Sequence, residues 1–286
     1  MNWDKAKSLI ILFLLVLNAF LGIILLIHED EHVVNAADVE VISGLLARGN
    51  IVLDGAVLPR RFDPVDQLVV QPTAYDAEEL VAAFFMNPEY IVRTTEFGNT
   101  IFKNDEGTLT IMRHIVLFEP NLYNPGLEVF RQNSRYTFEG FINMHSDLFP
   151  GFFLDTIVSS GDEKEVLEFR QIYQGHIIMS NYAAFTVGEH GVLQLRYTYY
   201  PIEAFVGVPK PIISVPSALF MFGLSLGVGH GSHPEEAVYV TNVDIVQNLR
   251  ADSTDDDILI TTPYYRISST YSSAPTLVNA ITGDIE

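Results

Sequence analysis

The sequence predicts an α+β protein: one N-terminal transmembrane helix, followed by an extracytoplasmic region of two lobes with curved antiparallel sheets packed on helices. Three observations lead there. Residues 8–27, SLIILFLLVLNAFLGIILLI, form an apolar run without a charge; at helical rise about 20 residues span roughly 30 Å, the hydrocarbon thickness of a bilayer. Beyond the run, aromatic and β-branched residues are frequent and alternate with polar ones at period two, as half-buried strands require. A helix-like stretch followed by strand-like stretches occurs twice, in residues 38–120 and 121–286, which suits two α+β lobes.

The flanks of the run set its direction. Lys5 and Lys7 stand before it, and Glu29, Asp30 and Glu31 after it. Positive charge stays in the cytoplasm, so residues 1–7 are expected inside and residues 28–286 outside, on a single-pass anchor in the cell membrane. A cleaved signal peptide is the alternative. Its apolar core would be about 7–15 residues and would end near a small-residue cleavage site. Here the run is longer, and the candidate site Val34-Asn35-Ala36 lies past the acidic patch. Inside the run, Leu14, Asn18, Leu21 and Leu25 share one helical face, and Gly22 lies a turn beyond Asn18. A polar side chain is costly against lipid and a small one allows close backbone approach, so these five residues form a candidate transmembrane contact. The bland alternative is an asparagine bonded to its own backbone.

The formal net charge is −20, and without Lys5, Lys7 and Asp4 the rest of the chain is close to −21. Such a surface lacks the basic footprint of a nucleic-acid binder and repels anionic lipid or wall polymer. There is no cysteine, which excludes disulfides, thiolate zinc sites and cysteine nucleophiles. The exterior part is long enough to bury one or two cores without them.

In chain order, residues 28–37 read as a polar spacer. Asp38 is a plausible N-cap for a helix over 39–48, with Val41, Ile42, Leu45 and Leu46 on one face and Gly49 in the left-handed position after it. Strands are predicted at 50–54 and 67–70. Asp76 with Glu79 makes a capping-box-like start for a helix over 77–86. Strands follow at 90–95, 99–103 and 108–112, the last two joined by Asn104-Asp105-Glu106-Gly107, and 114–118 extends the sheet. Residues 125–148 predict a helix, with Pro125 at its start and Leu127, Phe130, Phe138, Phe141 and Ile142 roughly on one face. Period two returns at 153–158, 166–173, 176–186 and 192–200, separated by turns at Gly161-Asp162, Gly175 and Gly188-Glu189-His190-Gly191. Residues 216–228 are too short to span a bilayer and read as a buried core helix. Residues 252–257, DSTDDD, read as a solvated loop.

No motif selects an active site. His230 and His233, with Glu235 and Glu236, are the most metal-like group, but they sit in a Gly/Pro-rich turn without the i, i+4 spacing of a helical zinc site. Asp252, Asp255, Asp256 and Asp257 lack the glycine and terminal glutamate of a calcium loop. There is no G-x-S-x-G elbow, P-loop or S-x-x-K motif. The residues therefore point to no enzyme activity, no cofactor and no metal.

The opening segment resembles the YycI branch of the YycH/YycI family through Met1, Trp3, Asp4, Lys5, Lys7 and the pair Leu17-Asn18. Further segments are similar in order: Gly49 to Leu53, Tyr173-Gln174-Gly175-His176, Val187 to Val192, and Ile213-Ser214 with Ala218-Leu219. Pro263-Tyr264-Tyr265-Arg266-Ile267 and Val278 to Ile285 resemble closing strands found also in the PepSY group, with Tyr265 where tryptophan is usual. Members of the family are membrane-anchored accessories of the WalK/WalR two-component system of Gram-positive bacteria. The resemblance implies a regulatory protein that binds and restrains or tunes a WalK-like sensor histidine kinase, together with a YycH-like sister protein. A second copy of the chain is a further expected pairing partner, and nucleic acid is not. A wall-associated enzyme, a ligand-binding module or a peptidase-inhibitor module is the competing expectation. A pocket of convergent carboxylates or histidines would favour it, and an exposed apolar strip would favour the regulator.

Overall fold

The structure, a computed structural model, describes residues 13–14, 17–18, 33–53, 56–73, 75–121, 135–160, 164–229, 234–249 and 259–286. Helix α1 (Ala36–Ala47) starts three residues before the predicted 39–48, because Asn35 and not Asp38 caps it. The Asn35 side chain accepts from the Ala37 N–H at 3.0 Å, and Asp38 falls in the first turn, where its charge suits the helix dipole. The left-handed residue after α1 is Asn50 (φ 61°) and not Gly49. Gly49 answers a need for space instead: a Cβ there would stand 2.3 Å from Val228 Cγ2. The predicted strand over 50–54 shrinks to β1 (Ile51–Val52), and β2 is Val65–Val70.

Helix α2 (Ala77–Phe84) is capped by Asp76 as the sequence predicts, with bonds from the Glu78 and Glu79 N–H groups at 2.9 and 3.2 Å. It stops short of residue 86 because the buried Glu106 carboxylate takes the Met86 N–H at 2.7 Å. After a 3-10 turn (Pro88–Tyr90) come β3 (Val92–Glu96), β4 (Asn99–Lys103), β5 (Gly107–Ile111) and β6 (Val116–Pro120), an antiparallel meander. The strand predicted at 114–118 begins at Val116 instead, because the chain bends just before it.

Helix α3 (Arg135–Met144) occupies part of the predicted 125–148 and ends four residues earlier; its predicted first half lies outside the described residues. Strands β7 (Phe152–Ser160), β8 (Lys164–Tyr173), β9 (His176–Gly188) and β10 (Gly191–Thr198) match the four predicted strands within two residues at each end. Beyond them lie β11 (Ile202–Lys210), α4 (Val215–Ser225), β12 (Val238–Leu249), β13 (Leu259–Ser269) and β14 (Ser272–Asn279). Neither β11 nor β12 is among the predicted strands.

The strands form one large sheet in the order β11-β2-β13-β12-β9-β10-β6-β5-β4-β3, with β1 beside β12, β14 beside β13, β8 beside β9 and β7 beside β8. The expectation of purely antiparallel sheets is corrected: β12 runs parallel to both β1 and β9, so the sheet is mixed. Two hydrophobic cores lie on it. One gathers α2 and α3 over the β5–β6–β10–β9 region, with Phe84, Phe118, Phe138, Phe185 and Tyr197 buried. The other gathers α1 and α4 over β12, β13 and β14, with Leu46, Leu219, Phe222 and Tyr265 fully buried. No helix among the described residues is long and apolar enough to cross a membrane. Within the predicted anchor, residues 13, 14, 17 and 18 are helical and exposed, and the remainder of that run lies outside the described residues.

Candidate interaction site

Three segments quoted above from the sequence meet at one place. Ser214 caps α4, its hydroxyl accepting from the Ser217 N–H at 3.3 Å, and Pro216 sits in the first turn, where a missing N–H costs nothing. Just before it, the Ile213 N–H donates to Ala280 O at 2.8 Å, and the Ile213 carbonyl accepts from the buried Tyr265 hydroxyl at 2.6 Å. Burial pushes the Tyr265 phenol well above its ordinary value, so it stays a donor. The turn after β14 is held by Asn279, whose side chain accepts from the Ile281 and Thr282 N–H groups at 2.9 and 3.1 Å. Thr282 in turn donates to Asp284 at 2.6 Å, and Gly283 takes a left-handed φ of 83°.

Helix α1 closes the third side. Between α1, α4 and this turn runs an open groove of about 410 Å³. Its floor is the buried Ile42, and its walls carry Val41 and Leu45 from α1 and Phe220 from α4. Val41 is 66 % exposed and Phe220 41 %, so these side chains present apolar surface to solvent. Asp38, Ser217 and Thr282 supply the polar rim. The helices approach closely because Gly223 faces Leu46, where a Cβ would come within 2.5 Å of Leu46 Cδ2. Chemically the groove can take apolar side chains with a donor near Asp38; among the described residues it brings no pair of carboxylates or histidines together.

A second polar feature joins β7, β12 and β13. Arg266 on β13 lies between Asp244 on β12 and Asp155 on β7. Its Nε donates to Asp244 at 2.9 Å and its Nη2 to Asp155 at 3.0 Å, with Nη1 also bound to Asp155. The Arg266 and Asp155 side chains are only 8 % and 5 % exposed. Burial alone would lower the guanidinium's pKa, but the bonds to Asp244 and Asp155 leave it raised. Arg266 is quoted above within a closing motif, but without a role.

Of the candidate transmembrane contact, Leu14 and Asn18 are helical and exposed, and Leu21, Gly22 and Leu25 lie outside the described residues. His230, His233 and residues 252–257 also lie outside them, and among the described residues no three His, Asp or Glu side chains are placed to hold one metal ion. Glu235 and Glu236 line a separate cleft of about 480 Å³ beside Tyr239 and Tyr271.

No protein-family model and no curated protein matches the sequence. The fold has counterparts among solved structures. An uncharacterized protein from Eubacterium rectale, 13 % identical, aligns over 81 % of this chain and 87 % of its own, with a TM-score of 0.51. The YpeB C-terminal domain of Bacillus megaterium, 14 % identical, aligns over 76 % of this chain and 96 % of its own at a TM-score of 0.41. YycH from Bacillus subtilis, 9 % identical, aligns over 80 % of this chain and 54 % of its own at 0.42. The likeness to the Eubacterium rectale protein is one of fold alone, and those to YpeB and YycH are distant structural resemblances.

Proposed function

We propose that the chain is a membrane-anchored extracytoplasmic regulatory protein. It binds and tunes the sensor histidine kinase of a cell-wall two-component system, acting with a YycH-like sister protein. The observation that carries this reading is the groove. Two segments that resemble the YycI branch, 213–219 and 278–285, converge on it with α1, and they leave Val41, Leu45 and Phe220 exposed on its walls. Residues 27 and 36 are nine apart, a reach of about 30 Å at most, so an anchor ending at Ile27 would keep α1 close to the membrane. A juxtamembrane helix of a single-pass partner could lay an apolar face there, with a basic side chain opposite Asp38.

Asn18 and Gly22 would add a contact within the membrane. The test is co-purification of the kinase from solubilised membranes. Val41→Glu and Phe220→Glu change exposed side chains and should leave expression intact while lowering the co-purified fraction. Asn18→Leu and Gly22→Leu should lower it too, against Leu12→Ala and Phe20→Leu as controls. An unchanged fraction in all four variants would sink the regulatory reading. The groove's volume also falls within the range of small-ligand sites, so a ligand-binding module is the second reading. In that case Phe220→Glu would abolish ligand binding and leave co-purification alone.

A further inference from the structure

The β3–β4 hairpin ends the sheet path, and every residue of β3 is exposed. Glu96 faces Asn99 across the two-residue turn Phe97-Gly98, and the register runs unbroken back to Val92 opposite Lys103. In such a hairpin the pair flanking the turn exchanges both hydrogen bonds, and bonded pairs then alternate. Glu96, Thr94 and Val92 are therefore bonded to β4, and the N–H and C=O groups of Arg93 and Thr95 point off the sheet. Proteins usually blunt an edge of this kind with a proline, a bulge or a cover. The other edges among the described strands are blunted. Strand β11 contains Pro209 and shifts register twice against β2, β14 contains Pro275 and a shift, and β7 shifts between Leu154 and Thr156. Among the described residues strand β3 has no proline, register shift or cover, only the charges of Arg93 and Glu96.

Its tip adds a second anomaly. Phe97 has a φ of 49° and is fully exposed (101 %). A bulky side chain is disfavoured in the left-handed region, where this turn prefers asparagine or glycine. Among the described residues the ring gains no burial in return. Met86, Tyr90 and Val92, close by in sequence, are exposed as well.

We propose that β3 is the surface through which two copies of this chain pair, strand against antiparallel strand, about a two-fold axis at Thr95. An unpaired ladder is satisfied by an extended segment, and this strand is matched to itself. A two-fold axis normal to the sheet keeps each side chain on its own face, so opposed residues differ by an even number. With the axis at Thr94, Val92 would face the partner's Glu96. With the axis at Thr95, Thr95 meets its own copy, Thr94 faces the partner's Glu96, and the partner's turn residue Phe97 comes to the end of the ladder beside Arg93, whose guanidinium lies over its own Phe102 ring at 5.6 Å. Charge agrees: residues 92–103 carry Arg93 and Lys103 against Glu96, a net +1 in a chain of −20, so the paired hairpins bring no net negative charge to the contact. The inference is independent of the regulatory reading.

The chain has no cysteine, so a single introduced one reports cleanly. In the full chain as recovered, Thr95→Cys should form a disulfide-linked dimer under mild oxidation, since bonded antiparallel pairs place Cα atoms about 5.5 Å apart. Tyr271→Cys, exposed elsewhere, should stay monomeric. By light scattering the unmodified chain should be a dimer. Thr95→Pro, which deletes the outward N–H without removing a bond to β4, and Phe97→Asn, which relieves the turn, should each be a monomer. The melting temperature of Phe97→Asn should be equal or higher, which separates loss of pairing from misfolding. The proposal is overturned if Thr95→Cys cross-links no more than Tyr271→Cys, if it cross-links to a different protein, or if both other variants remain dimeric.

Discussion

Arg266 answers two carboxylates at once, and they come from strands far apart in the chain: Asp244 is 22 residues away and Asp155 is 111. Exposed ion pairs contribute little to stability, but removing one member of a buried cluster leaves charge without an answer. Arg266→Met keeps much of the bulk and strands Asp155 against Asp244. We expect it to lower stability by about 3–5 kcal/mol, read as a fall in the urea midpoint. Adding Asp155→Asn and Asp244→Asn should recover part of the loss. A midpoint unchanged by Arg266→Met alone would mean that the cluster contributes nothing. Little of this was legible in the sequence. Arg266 stood out only beside Tyr265, and no spacing rule connects it to an aspartate on β7. Tyr265 itself is a departure from the tryptophan of the resembling motif that the structure accounts for: it too is a large aromatic with a donor at its tip, and it uses that donor on Ile213.

At the scale of elements, the glycines of the helices separate into two kinds. A Cβ at Gly44 in α1 would meet nothing within 4 Å, whereas one at Gly223 in α4 would come within 2.5 Å of Leu46, which is fully buried. Gly44→Ala should therefore stabilise the chain by about 0.5–1 kcal/mol through helix propensity alone. Gly223→Ala has the same propensity gain, but it must push Leu46 aside in a packed core, which costs about 1–3 kcal/mol. We expect a net loss of roughly 1 kcal/mol, relieved in the double variant with Leu46→Ala relative to the sum of the singles. Thermal unfolding of the unmodified chain and the four variants, Leu46→Ala alone included, decides it, and a gain for Gly223→Ala would show that α1 and α4 are loosely seated. Elements with a local signal were the legible ones. Asp76 caps α2 as its spacing predicts, and the strands between 152 and 198 follow their alternation. Strand β11 escaped because Gly207 and Pro209 read as loop. Strand β12 escaped because its alternation, clear at residues 238–241, is lost further along, where the buried residues fall side by side at Val246 and Gln247 and blur the period.

Over the whole molecule, chain order and core membership part company. Residues 34–62 pack with residues 212–280 in the second core, and the first core is drawn from residues 75–199. Short parallel pairing of β1 with β12, and bonds such as Gln67 to Thr261 across 194 residues, tie the two ends together. Nothing in a linear pattern announces such a partner, because hydrophobic period fixes which face of an element is buried but not what covers it. The consequence is kinetic and thermodynamic together, since cooperative opening follows packed units and not sequence neighbours. In native-state hydrogen exchange on the intact chain in rising urea, the amides of α1 should lose protection together with those of α4 and β13. They should not open with α2, although α2 begins only 30 residues after α1 ends. The amides of β5, β6 and β10 should form the other group. Opening of α1 together with α2, ahead of α4 and β13, would show that the first residues belong energetically to the first core and that the long-range pairing contributes little.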